Sequence, residues 1–189
     1  MNVRLIGLTG RARAGKDQSA EYLRLYRGFA RIALADPLKA AAAAMFGVPR
    51  EDFDDPETKE LVRPYWNLSP RQMAQKLGTE AARDTFGADI WLKRATLELI
   101  QLADEASEVA AETFGPVSVV VTDVRFDNEA EWIKRHGGRV IRIVRPGTAA
   151  VAAHASEAGV SDWLVDAEIV NDGDLTELRS KVLAAVGEK

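Results

Sequence analysis

Cysteine is absent from the 189-residue chain, and histidine occurs only twice, as His136 and His154. The first absence excludes disulfides, thiolate nucleophiles and cysteine-ligated zinc, and fits a reducing compartment. The second leaves too few imidazoles for a histidine-rich metal site. Positive charge is also scarce: 25 Lys and Arg stand against 29 Asp and Glu, for a net charge of −4. A protein that coats nucleic acid needs a clustered excess of cations to replace counterions, so any cations that matter here must act locally. No apolar run approaches the ~20 residues of a bilayer-spanning helix. The opening MNVRLIGLTG lacks the longer apolar region and cleavage site of a secretory signal. The expectation is a cytoplasmic protein with neither nucleic acid nor membrane as a direct partner.

A hydrophobic share of 47% over 189 residues is enough for one self-sufficient core, so a single domain over 1–189 is expected. VRLIGL from Val3 reads as a strand that runs into the glycine-containing GRARAGKD, and KDQSAEYLRLY then carries apolar residues at helical spacing. FARIALA from Phe29 predicts a second strand. In DPLKAAAAAMF, Asp36 reads as an N-cap and Pro37 as the first helical residue. Residues 47–68 hold three prolines and many charges and read as a mobile excursion with little regular structure. Two helical stretches follow, SPRQMAQKLGTEAARDTF, where Ser69 and Pro70 repeat the cap signal, and DIWLKRATLELIQLADEASEVAAETF. VSVVVTDV is β-branched and nearly continuous, as a strand covered on both faces should be. NEAEWIKRHGG reads as a helix, RVIRIV as a strand, AEIV as a short strand and DLTELRSKVLAAV as a closing helix. Strands alternating with helices predict an α/β fold, a doubly wound parallel sheet of about five strands.

The loop Gly10, Arg11, Ala12, Arg13, Ala14, Gly15, Lys16 approximates a phosphate-binding loop, with Asp17 where a hydroxyl usually follows the lysine and Gln18 beyond it. Its glycines let successive N–H groups turn inward, and the following helix offers its positive end to phosphate. A carboxylate at Asp17 would repel a triphosphate unless a cation lay between them, which makes Asp17 the candidate Mg²⁺ residue. Its bland alternative is a favourable charge at a helix start. Arg13 is the better phosphate contact of the two loop arginines. Asp123, at the carboxyl end of the predicted core strand, sits where open α/β sheets place ligands, and Arg125 two residues on would neutralise transferring charge. Glu129 lies one turn along and could fix Arg125. Lys39 is the natural partner for a substrate phosphate. Arg71 and Arg83 sit on a helical segment, and Trp91 is either core or a stacking platform. Trp66, Trp132 and Trp163 read as packing residues. VRPGTAAVAAHASEAG, led by Arg145, is a long irregular segment in the place where small kinases carry a lid.

In this order, GRARAGKD, LADPLK, QKLGTEAARDTFGADIW, VVTDVRFDNE, GGRVIRIVRPG, HASEAG and IVNDGDLTEL span nearly the whole chain, and the sequence resembles the bacteriophage deoxynucleoside monophosphate kinases. The resemblance implies a nucleoside-monophosphate-kinase fold of phosphate-loop type, with a helical substrate-binding part at about 36–112 and a lid at about 145–160. It implies transfer of the ATP γ-phosphoryl group to a deoxynucleoside monophosphate, with Mg²⁺, in a host cytoplasm where the product supplies phage DNA synthesis. By matching position, Lys16, Arg13 and the loop glycines belong to the ATP phosphates. Lys39, Arg71, Gln75, Gly78, Thr79, Arg83, Trp91, Asp123, Arg125, Phe126 and Glu129 belong to the monophosphate side and the centre of transfer. Arg145 resembles a lid residue on ATP, and Asn171 to Gly173 the wall near adenine. The alternatives are a phosphomevalonate-kinase-like enzyme, which shares a similar GKD loop, and a non-catalytic nucleotide-binding regulator. Oligomeric state stays open, with a homodimer as one option.

Overall fold

The structure is a computed structural model that describes residues 3–109, 116–147 and 159–187. They fall into two compact units, Leu34–Arg94 and the remainder, Met1–Ala33 with Ala95–Lys189.

The larger unit is built on five strands: β1 (Val3–Thr9), β2 (Ala30–Ile32), β3 (Val117–Val121), β4 (Arg139–Val144) and β5 (Ala167–Val170). They pair in the order β2-β3-β1-β4-β5, and every pairing is parallel. The doubly wound parallel sheet expected from the alternating pattern is therefore present. FARIALA supplies only three strand residues, Ala30 to Ile32.

β1 explains why the strands read as apolar runs. Leu5, Ile6 and Leu8 are buried, as are Val119 to Val121 beside them on β3, because helices cover both faces of a parallel sheet. One face packs Ile6, Leu8, Val120, Ile141 and Ile143 with Phe29, with Ala20 and Leu23 of α1 (Lys16–Arg27), and with Leu178, Val182 and Val186 of the C-terminal helix (Leu175–Val186). Each Val, Leu, Ile or Phe side chain buried this fully contributes about 1.5–3 kcal/mol. β1 lies between β3 and β4, so the chain winds to either side of it. The loops leaving these three strands at their carboxyl ends meet at this switch point, the position where such sheets bind ligands.

The smaller unit is helical. α2 (Asp36–Phe46) is followed by the irregular segment and then by a continuous helical stretch: α3 (Pro70–Gln75), a π-helical segment (Lys76–Arg83) and α4 (Asp84–Phe86). Ser69 caps α3 as expected, its Oγ accepting from Gln72 N–H while Gln72 Oε1 accepts from Ser69 N–H. Asp36 behaves differently. It is the first residue of α2 rather than its cap, and its carboxylate pairs with Arg50 at 3.0 Å. The excursion at 47–68 holds little helix or strand, yet it is packed: Val48 and Phe53 are buried with Ala42 and Met73. Composition reported its charges and prolines but not the two apolar residues that fasten it.

α5 (Ile90–Val109) continues the chain into the larger unit, where α6 (Asp127–Arg135) and the C-terminal helix, α7, complete the helical layers. Trp132 is buried and donates its indole N–H to Thr96 Oγ1 at 3.0 Å. Trp163 is 72% exposed, so it is not the packing residue expected from its type. Among the described residues no helix is long and apolar enough to cross a membrane.

Candidate active site

The loop between β1 and α1 is shaped by three residues at positive φ: Gly10 at 131°, Arg13 at 63° and Gly15 at 107°. Gly10 is required for a second reason, since a Cβ there would stand 2.2 Å from the Ile143 carbonyl oxygen of β4. Gly15 likewise leaves room for Asn171, whose Nδ2 would lie 2.7 Å from a Cβ. Asn171 is 9% exposed and donates from Nδ2 to Ala14 O at 2.9 Å. The turn after β5 thus holds the loop from behind, with Ala14 buried beneath it.

Lys16 curls over the loop and donates from Nζ to Gly10 O at 2.7 Å and to Arg11 O at 2.9 Å. Asp17 and Gln18 occupy the first turn of α1, Asp17 exposed. Ser19 cannot replace the missing hydroxyl, because it is buried and its Oγ donates to Gly15 O at 2.8 Å. Asp17 is the one carboxylate within the stretch Gly10 to Ser19.

Beside the loop, β3 ends at Val121, and the backbone of Thr122 and Val124 stays bonded to Ile32 O and Leu8 O, so Asp123 emerges at the carboxyl edge of the sheet. Arg125 and Phe126 are placed by Glu129. This carboxylate is 3% exposed, and its Oε2 accepts the Arg125 amide at 2.7 Å and the Phe126 amide at 3.1 Å. Asp127 opens α6 and accepts both the amide (2.8 Å) and the hydroxyl (2.7 Å) of Ser161. The Ser161 hydroxyl, then its amide, hold the Asp127 carboxyl below its ordinary value.

These elements surround a cleft of about 530 Å³ whose lining includes Gly10, Arg11, Arg125, Arg142, Arg145 and Val160. Four arginines face two acids, Asp162 and Glu168, around it, an excess suited to an anion. Arg142 escaped the sequence reading. It donates to Val160 O at 2.6 Å and pairs with Asp162. An arginine between the apolar pairs Val140–Ile141 and Ile143–Val144 was the available signal. Gly173 is exposed, its Cα hydrogen directed at Glu177. Most of the expected lid, 148–158, lies outside the described residues.

The remaining candidates are in Leu34–Arg94. Lys39, on α2, pairs with Asp54 at 2.6 Å, and Arg71, on α3, with Glu60 at 2.7 Å. Gln75 ends α3, while Gly78, Thr79 and Arg83 belong to the π-helical segment, a helix type found often at functional sites. Trp91 fastens this segment by donating its indole N–H to Gly78 O at 3.1 Å. The sequence candidates therefore form two groups, one per unit.

A parallel sheet of this order, with a glycine loop at its switch point and a cationic cleft beside it, defines an α/β protein of the phosphate-loop type. Solved structures agree on the fold. TT1252 from Thermus thermophilus superposes with a TM-score of 0.53 at 19% identity, covering 98% of this chain and 97% of that one. Dephospho-CoA kinase from Campylobacter jejuni gives 0.50 at 16% identity, over 96% and 94%. The chain belongs to the deoxynucleotide monophosphate kinase family, whose model matches residues 57–182. A protein of Acanthamoeba polyphaga mimivirus assigned as a deoxynucleotide monophosphate kinase is 33% identical over 96% of this chain and 95% of its own length. The deoxynucleotide monophosphate kinase of Enterobacteria phage T4 is 24% identical over 95% and 97%. The protein is thus a nucleotide kinase; its family implies ATP as phosphoryl donor and a small nucleotide as the other substrate.

Proposed function

We propose that this kinase transfers the γ-phosphoryl group of ATP to a deoxynucleoside 5′-monophosphate, for the supply of phage DNA precursors. The bond from the γ-phosphorus to the bridging oxygen breaks, a bond to an acceptor phosphate oxygen forms, and ADP and the deoxynucleoside diphosphate leave. The observation that carries the reading is the loop Gly10–Gly15 with Lys16, opening at the switch point onto a cleft lined by Arg11, Arg125, Arg142 and Arg145.

In this reading Gly10 to Gln18 hold the ATP phosphates through loop amides and Lys16, which exchanges its two carbonyl partners for phosphate oxygens. Arg145 and the Asn171–Gly173 turn serve the donor side. Asp123 orients the reacting groups and Arg125 offsets charge on the phosphoryl group in flight, while Glu129 fixes the backbone of Arg125 and of Phe126 beside it. Lys39 and Arg71 take the acceptor phosphate, and Gln75, Gly78, Thr79, Arg83 and Trp91 take its nucleoside.

The residues present fit Mg²⁺ shared with phosphate. Among the described residues no group of three or more His, Cys, Asp or Glu could hold a metal alone, and kinase Mg²⁺ is commonly held by one or two carboxylates plus substrate phosphates. Asp17 is the exposed carboxylate next to Lys16 that would take it. Bound there, it would supply positive charge between the phosphates and Asp17.

The test is ADP release with ATP, Mg²⁺ and, in turn, dAMP, dCMP, dGMP, dTMP, AMP and mevalonate phosphate. At least one deoxynucleotide should be phosphorylated and mevalonate phosphate should not. Equal background hydrolysis with every acceptor would refute the reading.

A further inference from the structure

The two cations given above to the acceptor phosphate are already held by carboxylates. Lys39 Nζ lies 2.6 Å from Asp54 Oδ1, and Arg71 Nη1 lies 2.7 Å from Glu60 Oε1. Both carboxylates come from the irregular segment between α2 and α3, which is also tied to the second cation through its main chain, Arg71 N–H donating to Lys59 O at 3.0 Å. The cationic side chains are 25% and 27% exposed, their carboxylate partners 54% and 52%. Each pair therefore has its cation tucked in and its anion facing water.

We propose that Asp54 and Glu60 are stand-ins for the acceptor's phosphate: they occupy Lys39 and Arg71 in the empty protein, and a nucleoside monophosphate binds by exchanging its phosphate for these two carboxylates. The inference rests on the acceptor reading given above.

Charge sets the direction of the exchange. A phosphate monoester carries about −1.5 to −2 at neutral pH and presents three acceptor oxygens, against a single charge on each carboxylate. The displaced groups are not stranded either. Asp54 keeps a second partner, Arg50, which is itself held by Asp36 at 3.0 Å. Glu60 is half exposed and returns to water, so neither leaves an uncompensated buried charge. Burial pushes the Asp54 carboxyl up, but Lys39 and Arg50 together outweigh it and hold the group below its ordinary value, so it is an anion at neutral pH. The pair Arg63–Asp52, at 2.5 Å, differs in kind: its carboxylate is 16% exposed and serves the fold.

Exchange has a measurable consequence. Whatever net stability a pair gives the empty protein is subtracted from acceptor binding. Half-exposed pairs are worth little, so removing one carboxylate should tighten acceptor binding by about two- to fivefold. The experiment is calorimetric titration, with parallel kinetics, of whichever of dAMP, dCMP, dGMP and dTMP the wild type turns over fastest. It is run on wild type, Asp54→Asn, Glu60→Gln and, as a control, Glu80→Gln, which breaks the exposed Lys76–Glu80 pair on the π-helical segment. Asp54→Asn and Glu60→Gln should each bind acceptor about two- to fivefold tighter, with KM for acceptor falling alike and KM for ATP unmoved. Glu80→Gln should match wild type. If the wild type neither binds nor phosphorylates any of the four, the acceptor reading itself fails. If the wild type binds but the two folded variants bind equally or more weakly, the exchange is overturned and these carboxylates are scaffolding. The pairs share no residue, so one unfolded variant leaves the other to decide. If neither folds, the inference is also wrong, because an exchangeable pair cannot be indispensable to the fold.

Discussion

Asp17 stands one residue past Lys16, at the positive end of α1, and two accounts of it make different predictions. As a helix-start charge it would contribute about 0.3–1 kcal/mol of stability and nothing to metal dependence. As the carboxylate that takes Mg²⁺, it would set how much of the ion the reaction needs. Asp17→Asn should therefore raise the Mg²⁺ concentration for half-maximal rate at saturating ATP, with the loss shrinking as Mg²⁺ is raised. Superimposable normalised curves for the two proteins would assign Asp17 to the helix start alone. Arg13, four residues earlier, shows a related feature. It is a non-glycine residue at φ 63°, in a conformation that costs L-residues roughly 1–2 kcal/mol. Glycine would adopt it without strain, so the arginine side chain at the loop's apex is retained against a local penalty.

The connection from β3 to α6 shows how an element places a side chain. Glu129, in the first turn of α6, reaches back to two amides of the preceding turn, and Arg125 owns one of them. Removing the carboxylate takes a charged acceptor from two part-buried N–H groups, at about 1–3 kcal/mol. Glu129→Ala should therefore lower the midpoint of urea unfolding. If Arg125 has the proposed role of meeting charge where it develops, the variant should also reduce kcat about tenfold or more, because Arg125 would be displaced. A destabilised variant with full kcat would show that Glu129 ties the turn without serving the reaction. The stretch Pro70–Phe86 is less legible from local signals. Its apolar spacing announces a helix, but the π-helical register over Lys76–Arg83 depends on tertiary partners such as the Trp91 indole on Gly78 O.

Over the whole molecule, acid should remove stability through particular carboxylates. Asp166 is pushed up by burial, but Lys134 and the Val140 amide outweigh this and hold it below its ordinary 3.8. Asp127 is lowered by Ser161, and Asp54 by Lys39 and Arg50 against burial. A depressed carboxyl stabilises the fold above its unfolded pKa and loses that contribution as pH falls through its folded value. The contribution should be complete above about pH 5 and disappear below the ordinary 3.8. Urea midpoints measured from pH 7 to about pH 2.5 should show Asp166→Asn below wild type at neutral pH and the two converging in acid. A gap of constant size across the range would mean that the variant acts through packing and not through the charge. General self-repulsion adds to the fall, since protonating the 29 acids leaves 25 basic residues unopposed.

The sequence by itself determined the order of elements, the parallel sheet, the loop at Gly10 to Lys16 and the candidates around Asp123 and Arg125, because each is written in periods and spacings of a few residues. The family resemblance, carried by TDVRFDNE and its neighbours, was legible in the same local way. Only the tertiary structure decided what those residues touch. Asn171 supports Ala14 across 157 positions. Arg142 turns out of an apolar strand to hold Val160. Phe53 and Val48 fasten a segment whose composition announced mobility. Lys39 and Arg71, read as cations waiting for phosphate, are already paired with Asp54 and Glu60. Local propensity restricts backbone angles and side-chain faces over a turn or two, whereas a long-range partner is chosen by which surfaces the completed core brings within hydrogen-bonding distance.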